Sequence, residues 1–166
     1  LSQLVDSLLV LTRAEAARRM PEPVDLGVVI ADRTDAWAAL ALERGVAIDA
    51  TLDPEWPSMR VRSVPGRIEQ VLDNLLSNAL EVAPAGSSVR IVVHREPTDA
   101  RIDVCDAGPG MTADQRARAF DRFWRGGGAR RDGGGFGLGL AIVRELINAD
   151  GGSVVLDEAP EGGLAV

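Results

Sequence analysis

The sequence predicts an α/β two-layer sandwich, a mixed sheet packed on helices, from three observations. Residues 67–82 carry apolar side chains at 68, 71, 72, 75, 76, 79 and 80, the repeat of one helical face. The stretches "SSVRIVVHRE" and "ARIDVCD" alternate at period two and are split by "PTD", which reads as a hairpin. Helical and strand patterns follow each other along the rest of the chain, with no internal repeat.

Each element has its own signal. Residues 1–19, "LSQLVDSLLVLTRAEAARR", place apolar side chains at 1, 4, 5, 8, 9 and 11, a heptad-like face that predicts a helix packed on another helix. "MPEPVD" (20–25), bracketed by two prolines, reads as a linker. A helical pattern runs from Leu26 to about Glu43, then "RGVAIDATL" alternates as a strand and "SMRVRSV" predicts another. After the hairpin comes a turn, "AGPGM", and a helix opening "TADQRARAFDRFW", where Thr112 and Gln115 have capping-box spacing. A glycine and arginine loop at 126–135, a helix over 138–149 and a strand pair from "GGSVVLDE" and "GGLAV" complete the chain.

Composition narrows the function classes. At 166 residues, the chain suits one domain with a short appendage, and 46% hydrophobic content supports a real core. A formal net charge of −7 argues against a nucleic acid or an anionic membrane as the main partner, yet allows a locally basic phosphate site. One cysteine, Cys105, excludes an intrachain disulfide and reads as a buried inert thiol. With no signal peptide and no apolar run near ~18 residues, the chain reads as a soluble domain of a reducing compartment. It also reads as a fragment, opening on an apolar leucine and stopping at Val166 inside a strand pattern.

Three stretches carry chemistry. In "RRDGGGFGLGLAIVREL" (130–146), glycines crowd the start of a helix, where unpaired N–H groups and the dipole favour phosphate. The spacing G-x-G-x-G at 135, 137 and 139 is neither the P-loop nor the dinucleotide fingerprint. Asn74 and Asn78 stand one turn apart, away from the apolar stripe of their helix, and an amide carbonyl suits Mg²⁺ beside phosphates. In "DAGPGM" (106–111), Asp106 ends an apolar strand, so its carboxylate is partly desolvated and needs donors such as the exocyclic amine of adenine. Gly108 and Gly110 let the backbone approach a flat ring.

In this order the motifs resemble the N, G1, F and G2 boxes of sensor histidine kinase ATP-binding domains: "NLLSNA" (74–79), "DAGPG" (106–110), "FDRFWR" (120–125) and "GFGLGL" (135–140). That superfamily is shared with DNA gyrase B and MutL. The resemblance covers about residues 24–166 and implies the Bergerat ATP-binding fold over 21–166. Residues 1–20 resemble the end of the second helix of the dimerisation and phosphoacceptor domain, an N-terminal helix remnant. It further implies ATP and Mg²⁺ as cofactors, with Asn78 on the metal, Asn74 supporting the phosphate and metal site, and Asp106 on the adenine amine. Gly108 and Gly110 would line the base pocket. Gly135, Gly137, Leu138 and Gly139 would present the backbone to the phosphates beneath a lid over about 111–134. Arg122 and Arg125 fit either a surface ion pair or a phosphate contact, Arg130 and Arg131 could reach the γ-phosphate on closure, and Phe120 and Phe123 are expected in the core.

The implied activity is transfer of the ATP γ-phosphoryl to a histidine upstream of residue 1, then to an aspartate of a response regulator. The implied setting is a homodimeric protein whose cytoplasmic domain this is, anchored in the membrane only through upstream segments. Superfamily hydrolases carry a water-activating Glu where this chain has Asn74, so slow hydrolysis is expected. His94, the sole histidine, lies on a strand pattern and reads as a surface residue. The family commonly places a basic residue and an aromatic after "NA", whereas Glu81 and Val82 stand here. Phe136 replaces a small hydroxyl residue, and "DGG" (150–152) replaces His-Gly-Gly, a change expected to be tolerated. Two alternatives stay open: a non-catalytic nucleotide-sensing or interaction module, and a serine kinase acting on an anti-sigma antagonist.

Overall fold

The seven apolar positions of the 67–82 stripe organise the molecule. In the computed structural model, which describes residues 20–52, 59–126, 136–160 and 162–166, Ile68, Val71, Leu72, Leu75, Leu76, Ala79 and Leu80 are all buried. The helix expected over residues 1–19, and Gly135, Arg130 and Arg131, lie outside the described residues.

In chain order the elements are β1 (Glu22–Asp25), α1 (Leu26–Glu43), β2 (Ala47–Leu52), β3 (Arg60–Ser63), α2 (Arg67–Val82), β4 (Ser88–Arg95) and β5 (Ala100–Cys105). They continue with α3 (Ala113–Arg118), α4 (Gly139–Ala149), β6 (Asp157–Glu158) and β7 (Leu164–Ala165). Five strands form one mixed sheet in the order β2-β4-β5-β7-β6. Its β2–β4 pair is parallel, while β4–β5, β5–β7 and β6–β7 are antiparallel. Leu26 and Ile30 of α1, Leu72, Leu76 and Leu80 of α2, and Val143 of α4 share a core with Val89, Ile91, Val93 and Val104 of the sheet. This is the two-layer arrangement that the sequence predicts.

Three local expectations need correction. "MPEPVD" is not a linker throughout: Glu22–Asp25 pairs antiparallel with Arg60–Ser63 in a separate two-stranded sheet. Proline is tolerated there because such a ribbon has only edge strands, where one N–H can be spared. Asp25 then caps α1, its Oδ1 accepting from the backbone N–H of Gly27 at 3.0 Å. The helix opened by "TADQ" has its capping box but ends at Arg118, with Ala119 as C-cap. Of "GGSVVLDE", only Asp157–Glu158 joins the sheet.

Candidate functional site

Asp106 follows the last residue of β5 and is 9% exposed. Its backbone N–H donates to the Leu164 carbonyl at 2.9 Å. The side-chain Oδ1 accepts from the N–H of Gly108 at 2.8 Å and of Leu164 at 3.2 Å. Oδ2 accepts from no group among the described residues. Burial raises the Asp106 carboxyl above the usual carboxylate value, and the two backbone hydrogen bonds oppose that rise. One carboxylate oxygen is therefore fixed and the other is left for a donor.

The turn after Asp106 is shaped by close approach. A Cβ on Gly108 would stand 2.7 Å from Cγ2 of Val82 at the end of α2. Gly110 has φ +68, and a Cβ there would lie 3.1 Å from the Gly163 carbonyl oxygen. Gly163 is the tightest position: φ is +89, and a Cβ would collide with the Asp106 carbonyl oxygen and come within 2.9 Å of its Oδ1. Only glycine fits both that conformation and that space. Gly163 and Leu164 escaped the sequence reading, which took "GGLAV" as one strand of the terminal pair; the doubled glycine was the available signal.

The amides of α2 meet the start of α4. A Cβ on Gly139 would lie 3.1 Å from Nδ2 and 3.2 Å from Oδ1 of Asn78, and 3.4 Å from Oδ1 of Asn74. Asn74 Nδ2 donates to the Gln70 carbonyl at 2.7 Å, which orients its Oδ1. Leu138 is the N-cap of α4, with no side-chain cap hydrogen bond. The first N–H groups of α4 thus point away from the helix body beside two amide side chains. Gly137, with φ +69, accepts from the N–H of Phe123 at 2.8 Å, and a Cβ on it would be 2.6 Å from the Trp124 carbonyl oxygen.

This contact brings residues 120–125 against the glycine-rich segment. Phe123 is 53% exposed and adopts φ +64, so the expected core role fails for it: a left-handed turn, unusual for a bulky residue, aims its ring outward. Phe120 is half-buried beneath the guanidinium of Arg144, which stands 5.1 Å from its ring centroid. Arg122 lies 4.0 Å from Glu145, and Arg125 lies 3.5 Å from Glu81. Both arginines are engaged in ion pairs on the surface. His94 is an exposed strand residue beside Asp103, and Cys105 is buried, as expected.

The model of the family described as "Histidine kinase-, DNA gyrase B-, and HSP90-like ATPase" matches residues 63–166, which include every box named above. The chain belongs to this family. It is 37% identical over 164 residues to the histidine-protein kinase/phosphatase MprB of Mycolicibacterium smegmatis, across 98% of this chain and 32% of the relative. It is 32% identical over 169 residues to the histidine-protein kinase BaeS of Escherichia coli, across 100% of this chain and 36% of the relative. The chain thus spans about a third of the length of these curated relatives. The solved mycobacterial sensor histidine kinase MprB superposes with TM-score 0.71 at 27% identity, covering 87% of this chain and 93% of that one. Full-length ShkA, solved in complex with AMPPNP, superposes with TM-score 0.73 at 31% identity, covering 87% of this chain and 29% of that one. No helix among the described residues is long and apolar enough to cross a membrane.

Proposed function

We propose that this chain is the ATP-binding catalytic domain of a sensor histidine kinase. It would transfer the γ-phosphoryl of ATP to a histidine of a dimerisation domain, for relay to an aspartate on a response regulator. The observation that carries the reading is the abutment of Asn74 and Asn78 on Gly139, which sets two neutral oxygen ligands beside the open end of α4. In a site for a nucleotide, Oδ2 of Asp106 takes the exocyclic amine of adenine, and the Gly108–Gly110 turn covers the base. The N–H groups at Gly137, Leu138 and Gly139 hold phosphate oxygens, a role Gly135 shares, and Arg125 supplies a cation.

The donor set fits Mg²⁺ shared with phosphates. Among the described residues no cluster of three His, Cys, Asp or Glu side chains could hold a metal alone. Mg²⁺ on nucleotide phosphates keeps water and needs only one or two protein ligands. Asn78, whose amide has no hydrogen-bond partner among the described residues, is the ligand assigned here, and Asn74 supports it. The bound ion would neutralise charge on the phosphates as the phosphoryl group leaves. Asn74 has no basic atom for activating water, which favours retention of ATP over hydrolysis. The upstream dimerisation domain, a second copy of the protein and the regulator are the partners of this reading, with membrane attachment left to segments outside this chain.

Calorimetric titration with AMPPNP, with and without Mg²⁺, tests it. Saturable binding is expected, lost in Asp106→Ala and made less dependent on metal in Asn78→Ala. A folded parent chain that binds no nucleotide overturns the assignment and leaves the interaction-module reading, which Glu81 and Val82 favour.

A further inference from the structure

We propose that Glu81 sets the affinity of this site for phosphorylated nucleotides by holding Arg125 as an internal counter-ion that the phosphates must displace. The inference rests on the ATP-binding reading above and adds to it a determinant on the protein.

The pair joins the two sides of the site. Glu81 sits on α2 three residues after Asn78 and directly before Val82, the side chain that packs on Gly108. Arg125 follows Trp124, whose carbonyl oxygen crowds Gly137. The guanidinium is therefore held at the junction of the α2 face, the turn after Asp106 and the glycine-rich segment, where phosphates would lie. Its one partner among the described residues is Glu81, at 3.5 Å. The side chains are 50% and 38% exposed, so a ligand can reach both.

Charge and geometry decide the exchange. An exposed pair at this distance is weak, because water screens it and two long side chains must be held still. Phosphate offers a guanidinium more charge and a planar two-oxygen match, so it outcompetes a single carboxylate oxygen. Displacement frees Glu81 beside the incoming negative charge. Binding of a phosphorylated ligand then carries two opposing contributions, loss of the internal pair and repulsion by Glu81. A ligand without phosphate meets neither. Removing the carboxylate should therefore tighten nucleotides selectively, and part of that gain should vanish when Arg125 is absent.

The test is a titration of AMPPNP, ADP and adenosine against the parent, Glu81→Gln, Arg125→Gln and the double variant, each first shown to melt cooperatively. Glu81→Gln should tighten AMPPNP about fivefold when Arg125 is present and about twofold or less in the Arg125→Gln background, with adenosine unchanged. Unchanged AMPPNP affinity in Glu81→Gln, equal tightening of adenosine, or the same gain with and without Arg125 would each overturn the proposal. Saturable AMPPNP binding by the parent upholds the ATP-binding reading in all of these cases. Failure of both the parent and Glu81→Gln to bind AMPPNP overturns the two together.

Discussion

Replacing Asp150 by alanine should destabilise the domain by about 3–5 kcal/mol, the cost typical of breaking a buried ion pair by removing one partner. Asp150 is the C-cap of α4, and it ties that helix to β3 and α2, whose contacting residues lie 87 and 83 positions earlier. It accepts a close ion pair from Nη1 of Arg67, the first residue of α2, with side-chain exposures of only 9% for Arg67 and 15% for Asp150. It also accepts from the hydroxyl of Ser63, the last residue of β3, which is 1% exposed. Without the carboxylate, Arg67 keeps a largely buried charge, and Ser63 keeps only a 3.4 Å contact with the Val64 carbonyl. These losses share one partner, so they belong to one figure and are not summed. At about 2–4 °C per kcal/mol for a domain of this size, the melting temperature should fall by at least 6 °C or so. Urea denaturation of the parent, Asp150→Ala and the double variant Arg67→Met/Asp150→Leu measures it. The double variant should lie well above the single one, because an apolar pair leaves no charge stranded. A loss below about 1 kcal/mol in Asp150→Ala would refute the reasoning, since the bridge would then be no stronger than an exposed pair.

Three further substitutions separate folding from binding. Asp106→Asn keeps an oxygen for Gly108 and Leu164 but removes the charge that burial disfavours. Because the native pKa of Asp106 is raised, the folded state holds its proton more tightly than the unfolded chain, and this group's contribution to stability falls as pH rises through that raised value. Relative to the parent, the variant should therefore gain in melting temperature between about pH 4 and pH 7 while losing nucleotide binding; a relative loss over that range would contradict the shift. Gly139→Ala puts its methyl against the ends of the Asn78 and Asn74 side chains, which can turn aside. Stability should hold or rise by up to about 1 kcal/mol from helix propensity while AMPPNP affinity drops at least tenfold, and unaltered affinity would detach the two amides from the site. Gly163→Ala meets the Asp106 backbone at a positive φ, so it should cost about 2 kcal/mol or more in urea and weaken AMPPNP binding with it; a variant as stable as the parent would show that the hairpin can shift freely.

What the sequence made legible was periodic or local. The apolar stripe of α2 gives every buried position of that helix, and alternation gives the β4–β5 hairpin, because each follows from one element facing one core. The Thr112–Gln115 capping box is equally local. The site residue types were legible for a related reason: glycines before a helix, amides one turn apart and an acid ending a strand each imply a chemistry without their partners. The partners themselves were not legible. Glu22–Asp25 reads as a linker until Arg60–Ser63 is beside it, and Phe123 reads as core until its backbone turns left-handed. Asp150 reads as a tolerated replacement until Arg67 and Ser63 are found on it, and Glu81 as a missing cation until Arg125 is found on it. Apart from Phe123, which its own backbone decides, the deciding contact joins residues tens of positions apart, and no periodicity encodes such a pairing. The same division runs through the site. Its ligand-facing groups are local motifs, but what holds them in place is long-range: Leu164 and Gly163 behind Asp106, Val82 behind Gly108, and Trp124 behind Gly137. Substitutions of the ligand-facing side chains should therefore change binding with little cost in folding, while substitutions behind them, or at the crowded Gly108, Gly110 and Gly137, should change both.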